Sequence, residues 1–132
     1  MNAPLTFSLN QIGQISINVQ DLERAVKFYG DALGMKHLFA AGNMAFFDCG
    51  GIRLMLAIPE KPEFDHPSSI LYFKVADIQG AHATLTARNV VFERQPALIA
   101  KMPTHDLWMA FFRDSENNLL SLMSEVVRGA SS

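Results

Sequence analysis

The side chain best suited to acid–base chemistry in this sequence is His105, which lies between Thr104 and Asp106 and shortly before Trp108. Imidazole titrates near neutral pH, so a histidine in a pocket can take up and release a proton during a reaction. The alternative is a loop histidine that only hydrogen-bonds the backbone. The other histidines fit structural or solvated roles better: His37 on a predicted strand, His66 in a connecting segment and His82 beside a predicted helix face.

Other chemistries lack the residues that they require. Cys49 has no adjacent basic residue that would make its thiol a nucleophile. Gly50-Gly51 is typical of a tight hairpin turn and does not match a phosphate-binding loop. No Ser-His-Asp arrangement follows from the spacing. The sequence therefore disfavours nucleophilic catalysis and nucleotide binding.

The composition is that of a globular chain with little net charge. Of the 132 residues, 49% are hydrophobic and 18% charged, and thirteen acidic against eleven basic residues give a net charge of −2. A chain with this charge is not expected to bind nucleic acid or anionic membranes, which attract basic surfaces. The chain has a lone cysteine, and Met1–Pro4 do not resemble the start of an export signal. No apolar stretch approaches the roughly 18 residues of a membrane span. Together these features predict a cytoplasmic protein.

Two ordered repeats divide the chain into halves. Met44-Ala45-Phe46-Phe47 recurs unchanged as Met109-Ala110-Phe111-Phe112, and Val19-Gln20-Asp21-Leu22 reappears as Val75-Ala76-Asp77-Ile78. Repeats in the same order indicate a structural unit that is used twice. The crevice between two such units is a natural place for a ligand.

Each half is predicted to fold as β-α-β-β-β. Residues 12–19 alternate apolar and polar side chains as a half-buried strand does, Asp21 is suited to cap the following helix, and Gly34 to end it. In the second half Asp77 takes the role of Asp21. Further strands are predicted at about 36–40, 44–49, 52–58, 70–75, 91–94, 108–113 and 119–123, the second helix ends near Asn89, and 95–106 form a long loop, a common location of function.

We expect a single domain, residues 1–132, with module one at about 12–59, a connector at 60–69, module two at about 70–126 and a frayed tail at 127–132. One module covers only one face of its sheet with its helix. Pairing two modules predicts an α+β fold, an incomplete eight-stranded barrel around a shared cavity. Gln14, Ser16 and Asn18 would face that cavity, and Ile15, Ile17 and Val19 would lie under the helix.

Two segments resemble the vicinal oxygen chelate superfamily, which includes glyoxalase I, bleomycin-resistance proteins and extradiol dioxygenases. They are the run from Val19 to Tyr29 with Leu33-Gly34-Met35, and Ala110-Phe111-Phe112-Arg113-Asp114 followed by Asn117-Asn118-Leu119-Leu120. The resemblance extends over about 12–125. It implies the paired-module fold but not the reaction, because this fold supports many chemistries.

The resemblance also indicates where a metal would bind. Metal-dependent members hold one divalent ion with four side chains, which correspond here to Gln14, Met55, Ile70 and Ser121. Ile70 has no lone pair, Met55 has only a thioether, and the other two offer neutral oxygens. Divalent ions in such sites prefer imidazole, carboxylate or thiolate donors. We therefore expect no metal and no other cofactor.

The sequence thus predicts a glyoxalase/bleomycin-resistance/dioxygenase-like protein that binds a small, largely apolar molecule between its modules, as a homodimer. Bleomycin-resistance-type members bind a compound without altering it. The alternative is a metal-independent isomerase or lyase, or a divergent dioxygenase-type enzyme, with His105 as the acid or base, so enzymatic activity stays open. A third reading is a dimerisation or regulatory module. The predicted ligand-binding residues are Gln14, Ser16, Met55, Ile70, Tyr72, Trp108, Ser121 and Met123.

Overall fold

The computed structural model describes residues 7–128, which form two modules with the same order of elements. This confirms the tandem βαβββ prediction. The first module contains β1 (Gln14–Asn18), α1 (Leu22–Lys27) with a π-helical continuation (Phe28–Ala32), β2 (Lys36–Ala41), β3 (Met44–Cys49) and β4 (Ile52–Ala57). The second contains β5 (Leu71–Lys74), α2 (Ile78–Ala87), β6 (Ala97–Lys101), β7 (His105–Arg113) and β8 (Leu119–Val127), after a connector with a short 3-10 turn (Pro62–Phe64).

Each module builds one four-stranded mixed sheet. The strand orders are β1-β4-β3-β2 and β5-β8-β7-β6, with β1–β4 and β5–β8 parallel and the other pairs antiparallel. The repeated tetrapeptide therefore occupies equivalent strands, β3 and β7. Within residues 7–128 the two sheets stay separate, and they do not close into a barrel.

Both helices begin where the repeated aspartates predict. Asp21 Oδ1 accepts a hydrogen bond from the backbone N–H of Arg24, and Asp77 Oδ1 accepts one from Gly80, each over 3.0 Å. These bonds satisfy amide groups that the first helical turn leaves without a partner. Gly34 ends the first helical segment with a φ of +75°, a conformation that favours glycine.

Strand alternation directs one face of each sheet into a common core. This core contains Ile17, Val19, Phe47, Leu54 and Leu56 from the first module and Ile78, Leu85, Phe112, Leu120 and Leu122 from the second, with Tyr29 between the helices and the sheets. The helix-covered faces of the two sheets therefore point toward each other. The opposite faces, which we call the bare faces, lie on the two outer sides of the chain.

The second strand of the second module lies later in the sequence than predicted. The segment 91–94 contributes only one isolated bridge, between Phe92 and Phe112, whereas β6 lies inside the predicted loop. Pro96 and Pro103 flank β6, which is an edge strand, and the ends of edge strands tolerate proline. As a result His105 begins β7 and is not a loop residue.

The final strand is also longer than predicted. β8 continues to Val127, the first residue of the expected tail, and the guanidinium of Arg128 donates hydrogen bonds to the carbonyl oxygens of His105 (2.9 Å) and Pro103 (3.1 Å). The rest of the predicted tail, 129–132, lies outside the described residues. Neither helix in the described range is long and apolar enough to cross a membrane.

Candidate ligand-binding site

The bare face of the first sheet presents polar and polarisable side chains in register. Gln14 pairs with Arg53 and Ser16 with Met55 between β1 and β4, and Met55 pairs with Phe46 of β3. Because these positions alternate with core residues, all five side chains lie on the bare face. Gln14, Ser16 and Met55 were predicted to bind ligand together, and the fold brings them together.

A cavity of about 330 Å³ opens beside this row. Its wall is formed by the bare face and by the connector, because Asn18 Nδ2 donates hydrogen bonds to the carbonyl oxygens of Phe64 (2.6 Å) and His66 (2.8 Å). The Asn18 backbone N–H also donates to Ser68 Oγ over 3.3 Å. The lining residues are Ser16, Asn18, Met44, Met55, Ala57, Ile58, Pro59, Glu60, Phe64, His66 and Ser68.

The connector residues of this cavity escaped the sequence analysis. Phe64, His66 and Ser68 lie in a proline-containing segment without periodicity, so no pattern indicated that it folds back on the sheet. Met44 could have been found, since its position opposite Ala57 follows from the β3–β4 hairpin. The remaining histidines have structural contacts, with the His37 ring 5.1 Å from that of Phe47 and the His82 ring 4.4 Å from that of Phe92.

Arg53 is held over the first bare face by two neighbours. Its Nε donates a hydrogen bond to Gln14 Oε1 over 2.8 Å, and its Cζ lies 5.3 Å from the centre of the Phe46 ring. Such a cation–ring contact is favourable. The amide of Gln14 also points its Nε2 at Met55 Sδ, 3.7 Å away, and the Phe39 ring stacks on Phe46 at 4.5 Å.

The second bare face carries another group of predicted residues. Ser121 of β8 lies between Tyr72 of β5 and Phe111 of β7, whose rings meet edge to face at 5.9 Å. Met123 follows on the same face, opposite Lys74. Tyr72 is 43% exposed, but Ser121 has no exposed surface and its hydroxyl donates to the carbonyl oxygen of Leu122 over 2.8 Å. A ligand on this face would meet aromatic and thioether groups before it met Ser121.

His105 lies further along the same face beside a carboxylate. Its Nε2 is 3.6 Å from Glu125 Oε2, and Glu125 Oε1 is 3.1 Å from Lys74 Nζ. Thr104 Oγ1 is 3.3 Å from His105 Nδ1. The hydrogen bond and positive charge of Lys74, with a smaller effect of His105, lower the pKa of Glu125. The histidine therefore has a carboxylate that can orient it.

Two predicted ligand-binding residues lie apart from these groups. Ile70 precedes β5 and is 40% exposed. Trp108 lies on the helix-covered face, because it alternates with Met109, pairs with Ser124 and packs against the core near the start of α2. Trp108 was expected to line the cavity, but its side chain points to the opposite face. Adjacent residues of a strand point in opposite directions, so Met109 and not Trp108 lies on the bare face.

Within one chain the two groups do not share a cavity. Gln14, Ser16 and Met55 lie on one outer side, and Tyr72, Ser121 and Met123 on the other. The cavity beside the first sheet has no lining residue from the second module. A site that contains both groups would require a second chain.

The residues at the superfamily's metal positions do not suit a divalent ion. Gln14 Oε1 already accepts from Arg53, and a guanidinium beside the position repels a cation. Ser121 is buried and Ile70 has no donor atom. Among residues 7–128 no three side chains of the histidine, cysteine, aspartate and glutamate types cluster as metal ligands would.

Comparison with known proteins identifies relatives of this architecture. The sequence model of the glyoxalase/bleomycin resistance protein/dioxygenase superfamily matches residues 11–122. A member of that superfamily from Sphaerobacter thermophilus is 24% identical, with 89% of this chain and 98% of that one covered and a TM-score of 0.73.

Two further solved structures are similar at lower identity. A virulence protein from Salmonella typhimurium is 17% identical, covering 91% of this chain and 100% of that one with a TM-score of 0.74. A lactoylglutathione lyase from Agrobacterium tumefaciens is 19% identical, covering 88% and 94% with a TM-score of 0.69. At these identities the similarity shows the fold alone.

Proposed function

Since the chain belongs to the glyoxalase/bleomycin resistance protein/dioxygenase superfamily, we propose that it binds a small, largely apolar molecule on the first bare face, without a metal ion. The observation that carries this proposal is the cavity of about 330 Å³ between the sheet and the connector. That volume falls within the range of small-molecule sites. Met44, Met55, Ile58 and Phe64 supply apolar and adaptable surface, while polar contacts come from Ser16, Asn18, Glu60, His66 and Ser68.

The complete site is proposed to form in a homodimer. Both bare faces expose large apolar groups, among them Phe39 at 47% on the first and Tyr72 at 43% on the second. A second copy that places its second bare face over the first would cover these groups and bring Met55 near Tyr72 and Met123. Two-fold symmetry would then create two equal sites.

Binding can be tested with phenylnaphthylamine, an uncharged apolar dye that fluoresces in apolar surroundings. The protein should bind the dye, and Met55→Glu should abolish binding because it places a carboxylate on the apolar sheet side of the cavity, whereas the existing Glu60 is exposed in the connector. Val91→Glu is the control, since Val91 is 71% exposed and lies outside the strands and the cavity lining. Equal effects of the two substitutions would refute a site at the first bare face.

Metal independence has a separate test. EDTA should change neither dye binding nor the melting temperature, because none of the four superfamily positions supplies a carboxylate or imidazole. A melting temperature that falls with EDTA and recovers with a divalent ion would disprove the metal-free part of the proposal.

A second candidate function is acid–base catalysis by His105, favoured by its 3.6 Å approach to Glu125. In an isomerase or lyase reaction His105 would move a proton while Glu125 orients the ring. If superfamily substrates are turned over, His105→Ala should reduce kcat by roughly 10²–10⁴-fold and leave substrate binding intact. Turnover that is unchanged in His105→Ala would exclude this role.

A further inference from the structure

We propose that Arg53 binds an oxyanion, so that the ligand of this protein is a small apolar molecule bearing one carboxylate or similar group. This inference rests on the proposed function and specifies its ligand class. Arg53 pairs with Gln14 across β1 and β4. The next pair on the same face is Ser16 with Met55, and both of these residues line the cavity. Arg53 does not line the cavity itself, so a ligand that contacts both must extend along the bare face beyond Met55.

The charge of Arg53 is not neutralised by an ion pair. Among residues 7–128 no carboxylate oxygen lies within the 4.0 Å of a salt bridge to this guanidinium, although five other such contacts occur there. Asp48 is the direct cross-strand partner of Arg53 on this face, but its Oδ1 accepts a hydrogen bond from the Gly51 N–H in the hairpin turn over 3.2 Å. Within residues 7–128 Arg53 therefore has no direct ion pair, and Asp48 offsets its charge only from a longer distance.

The guanidinium is also positioned before any ligand arrives. Gln14 Oε1 accepts from its Nε and the Phe46 ring lies 5.3 Å from its Cζ, and within residues 7–128 its two terminal nitrogens donate no hydrogen bond. A planar guanidinium with free terminal N–H groups matches the two oxygens of a carboxylate. Because the ordering of the side chain precedes binding, less conformational entropy is lost on association.

The free donors of Arg53 and Gln14 favour a ligand acceptor, while the nearby carboxylates are Asp48, opposite Arg53, and Glu60 in the cavity lining. The oxygen of Gln14 is occupied by Arg53, and among the described residues its Nε2 faces the weak acceptor Met55 Sδ at 3.7 Å. A ligand oxygen at this point would meet donors from both Arg53 and Gln14, whereas a ligand cation would meet a positive charge. The assignment of the Gln14 amide follows from these two contacts.

A pair of probes separates the charge contact from apolar binding. Anilinonaphthalene sulfonate is the anionic counterpart of phenylnaphthylamine, with the same rings and an added sulfonate. In Arg53→Gln we expect the affinity for the anionic dye to fall roughly tenfold or more, as loss of a charge-assisted hydrogen bond predicts, and the affinity for the uncharged dye to stay within about twofold. Arg94→Gln, which removes the same charge from an exposed position outside the cavity lining, should change neither affinity.

The outcomes distinguish the two proposals. If the wild-type protein binds both dyes and Arg53→Gln weakens neither, the oxyanion site is refuted and the apolar site stands. If Arg53→Gln weakens both dyes equally, Arg53 supports the sheet and does not recognise charge, which also overturns the inference. If the wild-type protein binds neither dye, the proposed function fails and the oxyanion site fails with it.

Discussion

The phenolic oxygen of Tyr29 donates a hydrogen bond to Asp114 Oδ2 over 2.7 Å, and both residues are buried although 85 positions separate them in the chain. Tyr29 follows α1, and Asp114 begins the turn between β7 and β8, so this bond joins the two modules. Asp114 also accepts from the N–H groups of Glu116 and Asn118, each over 2.8 Å. Burial and the adjacent Asp114 carboxylate raise the pKa of Tyr29, which therefore stays a donor at every ordinary pH.

Removal of the Tyr29 hydroxyl should destabilise the contact between the two modules. Tyr29→Phe keeps the ring in the core but leaves one buried lone pair of Asp114 without its partner, and we expect a loss of about 1–3 kcal/mol in the free energy of unfolding. Urea denaturation measures the change. Tyr72→Phe is the matched control, since Tyr72 is the other tyrosine and is 43% exposed. Similar losses in the two variants would contradict a structural role for the Tyr29 hydroxyl.

Glu116 contacts the first module and should make the free energy of unfolding depend on pH. Its carboxylate is 2% exposed and forms a 2.8 Å ion pair with Arg24. Burial alone would raise its pKa, but hydrogen bonds from Arg24, from the Asp21 and Gln20 N–H groups and from Ser115 lower it to about 2. Because the pKa is lower in the folded state, the stabilisation is complete above the unfolded value of 4.5 and is lost as the pH falls toward 2.

Glu116→Gln should therefore be less stable than the wild type at neutral pH, and the difference should shrink between about pH 5 and pH 2 as the wild-type carboxylate is protonated. Thermal unfolding followed by circular dichroism across this range measures both curves. Glu63→Gln, in the exposed connector, should follow the wild-type curve. A difference between Glu116→Gln and wild type that is independent of pH would contradict the assignment.

The sequence predicted the parts of this fold that depend on local pattern. The repeated Val-x-Asp segments correctly indicated two helix starts, and alternation along β1 placed Ile17 and Val19 in the core. Alternation cannot show how two modules pack. Either face of each sheet could turn toward the other module, and the structure joins the helix-covered faces.

The differences from the prediction have the same origin in interactions beyond the local pattern. Trp108 was chosen by residue type, whereas its place between Leu107 and Met109 in β7 turns it toward α2, and its predicted contact with ligand stays a prediction. The strand β6 was missed because its pairing with β7, and not its own short sequence, determines it. The contribution of the connector to the cavity depends on hydrogen bonds from Asn18, which no sequence period records.

The proposed dimer should dissociate when charge is placed on the second bare face. Tyr72→Glu would put a carboxylate into the interface, and sedimentation velocity should then show a monomer where the wild type sediments as a dimer. Val91→Glu is the control, because Val91 is 71% exposed and lies outside the strands. A Tyr72→Glu protein that stays dimeric would exclude the second bare face from the interface.

Complementation between two variants shows whether one binding site combines the first bare face of one chain with the second bare face of another. Met55→Glu and Met123→Glu damage different faces, so each homodimer, with its two copies joined by a flexible linker to prevent dissociation, should bind no phenylnaphthylamine. In an isolated heterodimer of the two variants one site carries both substitutions and the other carries neither, and dye binding should return to half the wild-type stoichiometry. A heterodimer that binds no dye, or a Met123→Glu homodimer that binds as the wild type does, would contradict the composite site.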